Sequence, residues 1–167
     1  MKKSIAIVVI CLLMAGQSWA QNYQTHSLFI YSFTRFVLWP DDDRQGDFQI
    51  TVLGDSPISE ELKTMAEKKK VSGRSISVGT IKDLSEIRKC HILFVTQGWS
   101  SRLADVLEKI GESPILVVTE QPGLGAKGSS VNFITKDGKL MFELNQNAMG
   151  KHKLKASAEL TRLAILI

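Results

Sequence analysis

The sequence predicts a single three-layer α/β domain: a mainly parallel sheet with an antiparallel hairpin edge at about residues 131–144, and helices on both faces. Three observations carry this. The runs 91–96 (HILFVT) and 114–119 (PILVVT) are apolar on both strand faces, so both faces need cover. Segments of helical period alternate with these strand-like runs, the pattern of a parallel sheet. Asp137-Gly138 joins 131–134 (VNFI) to 139–144 (KLMFEL) as a two-residue hairpin turn.

The elements follow in order. Residues 27–39 (SLFIYSFTRFVLW) place Phe29, Phe33 and Phe36 on one helical face and Leu28, Tyr31 and Leu38 on another, with Pro40 and Asp41-Asp42-Asp43 as the stop. Residues 48–54 (FQITVLG) read as a strand running into Asp55-Ser56-Pro57, a cap and first-turn proline. The helix that follows buries Ile58, Leu62, Met65 and Ala66. Glu60 and Glu61 near its start and Lys68-Lys69-Lys70 at its end suit the macrodipole, so the lysine run reads as a solvated terminus. Gly73 breaks the chain before a strand at 76–81, and 83–89 is a short helical or turn segment. Residues 99–110 are helical through Leu103, Val106, Leu107 and Ile110, and Gly111 ends them. Asn145 caps a short helix to about His152, and Ser157 caps a last one that turns Leu160, Leu163 and Ala164 inward.

Residues 1–20 follow the export pattern: Lys2 and Lys3, an apolar run from Ile5 to Ala15, and Ser18-Trp19-Ala20 with small residues at the cleavage positions. The run is too short for a bilayer span of about 20 apolar residues, so cleavage is expected after Ala20, giving a periplasmic domain of residues 21–167. Cys11 leaves with the leader, and Cys90 alone remains. An intramolecular disulfide is excluded; Cys90 is either a core residue or a reactive or intermolecular thiol. A net charge of +4 is too small to argue for nucleic acid.

The loop 123–128 (GLGAKG) spells GxGxxG, a pattern that holds pyrophosphate only when a helix follows it; here a strand follows, and no cofactor is expected. His26, His91 and His152 are far apart and show no metal-ligand spacing. No nucleophile–base set stands out, so no catalytic residue is named and a binding role is favoured over an enzyme. The aromatic helix needs explaining. A surface helix requires one apolar stripe, and Tyr31, Leu38 and Trp39 exceed it, which points either to complete burial or to a partner protein, a second copy or a membrane surface.

Residues 29–40 (FIYSFTRFVLWP) followed by 48–57 (FQITVLGDSP) resemble the opening of the YfiR-like family of periplasmic proteins. The resemblance continues through 90–95 (CHILFV), 115–119 (ILVVT), 131–133 (VNF), 142–145 (FELN) and 160–164 (LTRLA), nearly the whole mature chain. Arg35 replaces the family's usual lysine, Lys127-Gly128-Ser129 stands where a double glycine is common, and Lys153 replaces a frequent glycine. The resemblance implies a non-enzymatic regulator that binds the sensing portion of an inner-membrane diguanylate cyclase, or a related sensor, and keeps cyclic-di-GMP and biofilm output low. Some relatives carry paired cysteines that make them redox-responsive. Cys90 matches one such position, but the mature chain has no second cysteine to pair with it.

The expected interface with the sensor, or with a second copy, is Phe29, Tyr31, Phe36, Trp39 and Pro40. The alternative is a small-molecule binder whose pocket lies at the strand carboxyl ends, with Asp55, Ser56, Trp99 and Gln121.

Overall fold

Ile92 and Phe94 point to one side of a central strand while Leu93 and Val95 point to the other, and all four are fully buried. That alternation separates two cores, as the doubly apolar strands require. The computed structural model describes residues 17–40 and 45–167. Most of the expected leader, with Cys11, and the Asp41-Asp42-Asp43 stop lie outside these residues; residues 17–20 belong to the first helix.

The elements are α1 (Gln17–Phe36), β1 (Val37–Leu38), β2 (Phe48–Leu53), α2 (Ile58–Lys68), β3 (Ile76–Ile81), β4 (Ile92–Val95), α3 (Leu103–Ile110), β5 (Leu116–Thr119), β6 (Val131–Lys136), β7 (Lys139–Leu144), α4 (Gln146–Lys151), β8 (Lys155–Ala156), α5 (Ala158–Leu163) and β9 (Ile165–Leu166). Single 3₁₀ segments at Leu84–Glu86 and Gln97–Arg102 complete the connections. Seven strands form the main sheet in the order β3-β2-β4-β5-β6-β7-β9. All pairs are parallel except β6–β7. One face carries α1, α2, α4 and α5 over a core containing Ile30, Phe33, Ile58, Leu62, Phe133, Phe142, Met149 and Leu160. The other carries α3 over Leu93, Val95, Leu103, Val106, Ile110 and Val117. The mixed α/β architecture is the expected one.

The local signals account for most boundaries. The hairpin turn has Asp137 and Gly138 both at positive φ, 52° and 72°, as a type I′ turn demands. Asn145 accepts from Ala148 N–H at 2.9 Å and Ser157 from Leu160 N–H at 3.2 Å, so both expected caps form. Ser56 Oγ accepts from Ile58 N–H at 3.3 Å at the start of α2.

Three expectations need correction. The first helix ends at Phe36, three residues early, because Val37 and Leu38 pair antiparallel with Ala156 and Lys155, and Ser157 N–H donates to Phe36 O at 2.8 Å. The helix of residues 99–110 opens as a 3₁₀ turn and becomes α-helical only at Leu103. Leu163 does not pack inward; it is 62% exposed, since α5 stops there and the chain extends into β9 beside β7.

Candidate functional site

The expected interface segment is anchored from beneath. On α1, His26, Phe29 and Phe33 lie one turn apart and meet the rings of β6 and β7. His26 is 4.4 Å from Phe133, Phe29 is 5.6 Å from Phe142, and Phe33 is 5.1 Å from Phe142, ring centre to ring centre. Phe29, Tyr31, Phe36 and Pro40 are each half-buried, and Trp39 is only 9% exposed. These side chains form the wall between α1 and the sheet more than an open patch. The apolar groups that face outward here are Leu28 and Leu38, each more than half exposed.

Trp39 continues into a stack at the amino ends of β2 and β4. Its ring meets Phe48 edge-on at 5.2 Å, and Phe48 stacks on His91 at 4.3 Å. Gln49 N–H donates to His91 Nδ1 at 2.9 Å, and His91 Nε2 lies 3.1 Å from Arg74 Nη2. Arg74 also lies over the Phe48 ring, 5.7 Å from its centre, and its Nε donates to Gly46 O at 2.6 Å. Between this stack, the end of α1 and the turn after α2 lies a cavity of about 610 Å³ walled by Tyr31, Arg35, Trp39, Lys70 and Arg74. Nothing local in the sequence marks it, because Arg35 and Lys70 lie on separate elements; the Tyr31 hydroxyl donates to Lys70 O at 3.3 Å.

The carboxyl ends of the strands are arranged differently. The strand order reverses between β2 and β4, where an open α/β sheet offers its crevice. Gly54 sits there at φ +98°, with Trp99 and the Thr96 hydroxyl against the place a Cβ would occupy. Thr96 Oγ donates to Leu53 O at 2.8 Å and ties the two strand ends together. Trp99 is half-buried under Arg102, Asp55 is exposed and pairs with Lys82 at 3.6 Å, and Ser56 and Gln121 are half-buried. The residue that enters the crevice is the neighbour of Gln121. Glu120 accepts from Gln97 N–H at 3.3 Å, and burial raises its pKa against the opposing hydrogen bonds from Tyr23 and Gln97. Tyr23 is raised in turn, chiefly by burial, with the Glu120 charge adding and a Ser56 hydrogen bond opposing. Tyr23 of α1 therefore reaches this end of the sheet.

Two isolated groups have defined chemistry. Burial pushes the Cys90 thiol up to about 11, with a weaker opposing hydrogen bond from Thr51. At pH 7.5 Cys90 is expected to react with a thiol-specific disulfide reagent only after denaturant is added; full reaction in the native protein within minutes would refute the core assignment. His152, 4% exposed, hydrogen-bonds Ser113 O through Nδ1 at 3.2 Å, and burial lowers its pKa. Its folded value lies below the ordinary 6.5, so its contribution is complete above pH 6.5 and lost as pH falls toward the folded value. Urea denaturation at pH 7.5 and 5.5 should show lower stability at 5.5, with a smaller difference in His152→Asn.

Among the described residues no group of three or more His, Cys, Asp or Glu side chains could hold a metal, and no helix is long and apolar enough to cross a membrane. The GLGAKG loop leads into β6, a strand. A family model described as YfiR/HmsC-like matches residues 23–165, from within α1 to β9. The chain belongs to the YfiR/HmsC-like family. No curated protein matches it significantly. The family is one of periplasmic, regulatory, non-catalytic proteins associated with diguanylate cyclases. In this YfiR/HmsC-like chain the match takes in both the α1–β1 segment and the stack beneath it.

Proposed function

We propose that the protein is a periplasmic, non-enzymatic regulator that binds and represses an inner-membrane diguanylate cyclase or a related sensor, using the α1–β1 segment as its docking surface. Membership of the YfiR/HmsC-like family carries this reading. Repression requires tighter binding to the partner's inactive state than to its active one, since equal affinity shifts nothing. The α1–β1 segment suits that task. Phe29, Tyr31, Phe36 and Pro40 show their edges, Leu38 projects, and Trp39 holds the corner from below. A second copy of the chain is the other occupant of the same surface.

Cross-linking in intact cells, followed by mass spectrometry of what co-purifies with the tagged protein, tests this. The expected result is an inner-membrane diguanylate cyclase, or related sensor, with a periplasmic portion, recovered with the parent protein and lost with Leu38→Glu. Deleting the protein should also raise cyclic-di-GMP. Leu38 is 53% exposed, so the substitution leaves folding intact, whereas Trp39→Ala removes a buried ring and reports on both folding and binding. Equal capture by Leu38→Glu and Trp39→Ala would remove the interface assignment, and unchanged cyclic-di-GMP with no sensor recovered would remove the regulator reading.

A further inference from the structure

We infer that the cavity at the amino ends of β2, β3 and β4 is a binding site for a small organic anion, a carboxylate or phosphate monoester carried on an apolar body. This does not depend on the regulator reading, and it lies at the opposite end of the sheet from the crevice that Trp99 and Thr96 close.

Five observations support it. The cavity, about 610 Å³, has the size of a small-molecule site. Its walls combine aromatic surface from Tyr31, Trp39 and Phe48 with the cations Arg35, Lys70 and Arg74, and no carboxylate side chain among the described residues lines it. Neither Arg35 nor Lys70 takes part in an ion pair among the described residues. Lys69 adds positive charge at the rim, its Nζ 5.6 Å from the Tyr31 ring centre, so the lysine run after α2 does more than solvate a helix end. Finally, Trp39 Nε1, on a ring that is 9% exposed, is buried with no hydrogen-bond partner. Buried N–H donors are seldom left unpaired, and this one belongs to a residue that lines the cavity.

The chemistry follows from these groups. Arg35 and Lys70 come from α1 and from the turn after α2, so an anionic head between them makes charge-assisted hydrogen bonds to both elements. The aromatic wall takes the apolar body. Neutral molecules of the same shape gain only the second contribution.

Calorimetric titration with phenyl phosphate and phenylacetate, beside neutral 2-phenylethanol, tests the site on the whole protein. At least one anion should bind with Kd below about 1 mM and at least about tenfold tighter than the alcohol. Binding should weaken as salt is raised from about 0.05 to 0.5 M. In nitrogen-15 NMR spectra the Trp39 indole N–H should shift on addition of the anion while that of Trp99 stays in place. Arg35→Gln with Lys70→Gln should lose about tenfold or more in affinity with an unchanged melting temperature, and Lys127→Gln with Lys151→Gln, around a different cavity, should lose nothing. Equal binding of the alcohol, undiminished binding by the Arg35/Lys70 variant, or no heat from either anion at about 10 mM would overturn the inference.

Discussion

Gly54→Ala is expected to cost about 2–5 kcal/mol, a large share of the about 5–15 kcal/mol that holds a domain of ordinary stability together. Two independent costs meet at this position. The backbone holds φ +98°, a conformation that a side chain makes unfavourable by about 1–2 kcal/mol. The new methyl would also overlap the Thr96 hydroxyl and lie 2.6 Å from Trp99 Cδ1. Neither neighbour can yield cheaply. Thr96 is 2% exposed and bonded to Leu53 O, and Trp99 packs against the second core. Overpacking of this kind adds about 1–3 kcal/mol. Urea denaturation followed by far-UV circular dichroism measures the loss. Gly79→Ala supplies the control, because it lies in edge strand β3 with open space around it and no positive φ. A Gly54→Ala protein within about 1 kcal/mol of the parent would show that Trp99 swings away freely, and would reopen the crevice as a pocket for Asp55, Ser56 and Gln121.

The residues differ in how openly they announce their place. β4 and β5 were legible because a strand buried on both faces must be apolar throughout, and the hairpin because Asp137-Gly138 suits only one kind of turn. β1, β8 and β9 were not legible, since each has two residues and owes its existence to a partner distant in sequence: Val37 needs Ala156, and Leu166 needs Leu144. The aromatic richness of α1 exceeds a single stripe, which is legible in the sequence; where the excess goes is not. Phe29 and Phe33 are taken up by Phe133 and Phe142, residues about one hundred positions away, and Trp39 by Phe48 and His91. The basic cavity was hidden for the same reason. Arg35, Lys70 and Arg74 have no common local motif, and only the packing of α1 beside α2 brings them together.

Phe33→Ala should be at least as damaging as Gly54→Ala, but by a different route, with a consequence confined at first to one helix. Phe33 is fully buried, stacks on Phe133 at 5.9 Å and meets Phe142 edge-on at 5.1 Å. Removing a buried phenyl ring costs about 3–5 kcal/mol, through lost transfer free energy and the cavity left behind. The surrounding residues are poorly placed to collapse into that space, because Phe133 and Phe142 are cross-strand neighbours fixed by the hairpin ladder. The loss therefore falls on the attachment of α1 to the sheet. Hydrogen exchange should show it first in amides near Ile30 and Thr34, with β4 and β5 still protected at low denaturant. Leu28→Ala, on the same helix but 55% exposed, should change stability by less than about 0.5 kcal/mol. If α1 carries the docking surface, Phe33→Ala should also lose partner capture while the sheet remains folded, whereas Leu28→Ala should keep the stability and reveal whether that exposed side chain touches the partner. Equal loss of protection throughout the sheet in Phe33→Ala would instead mean that α1 and the sheet unfold as one unit, and that α1 cannot move as a separate element when the partner binds.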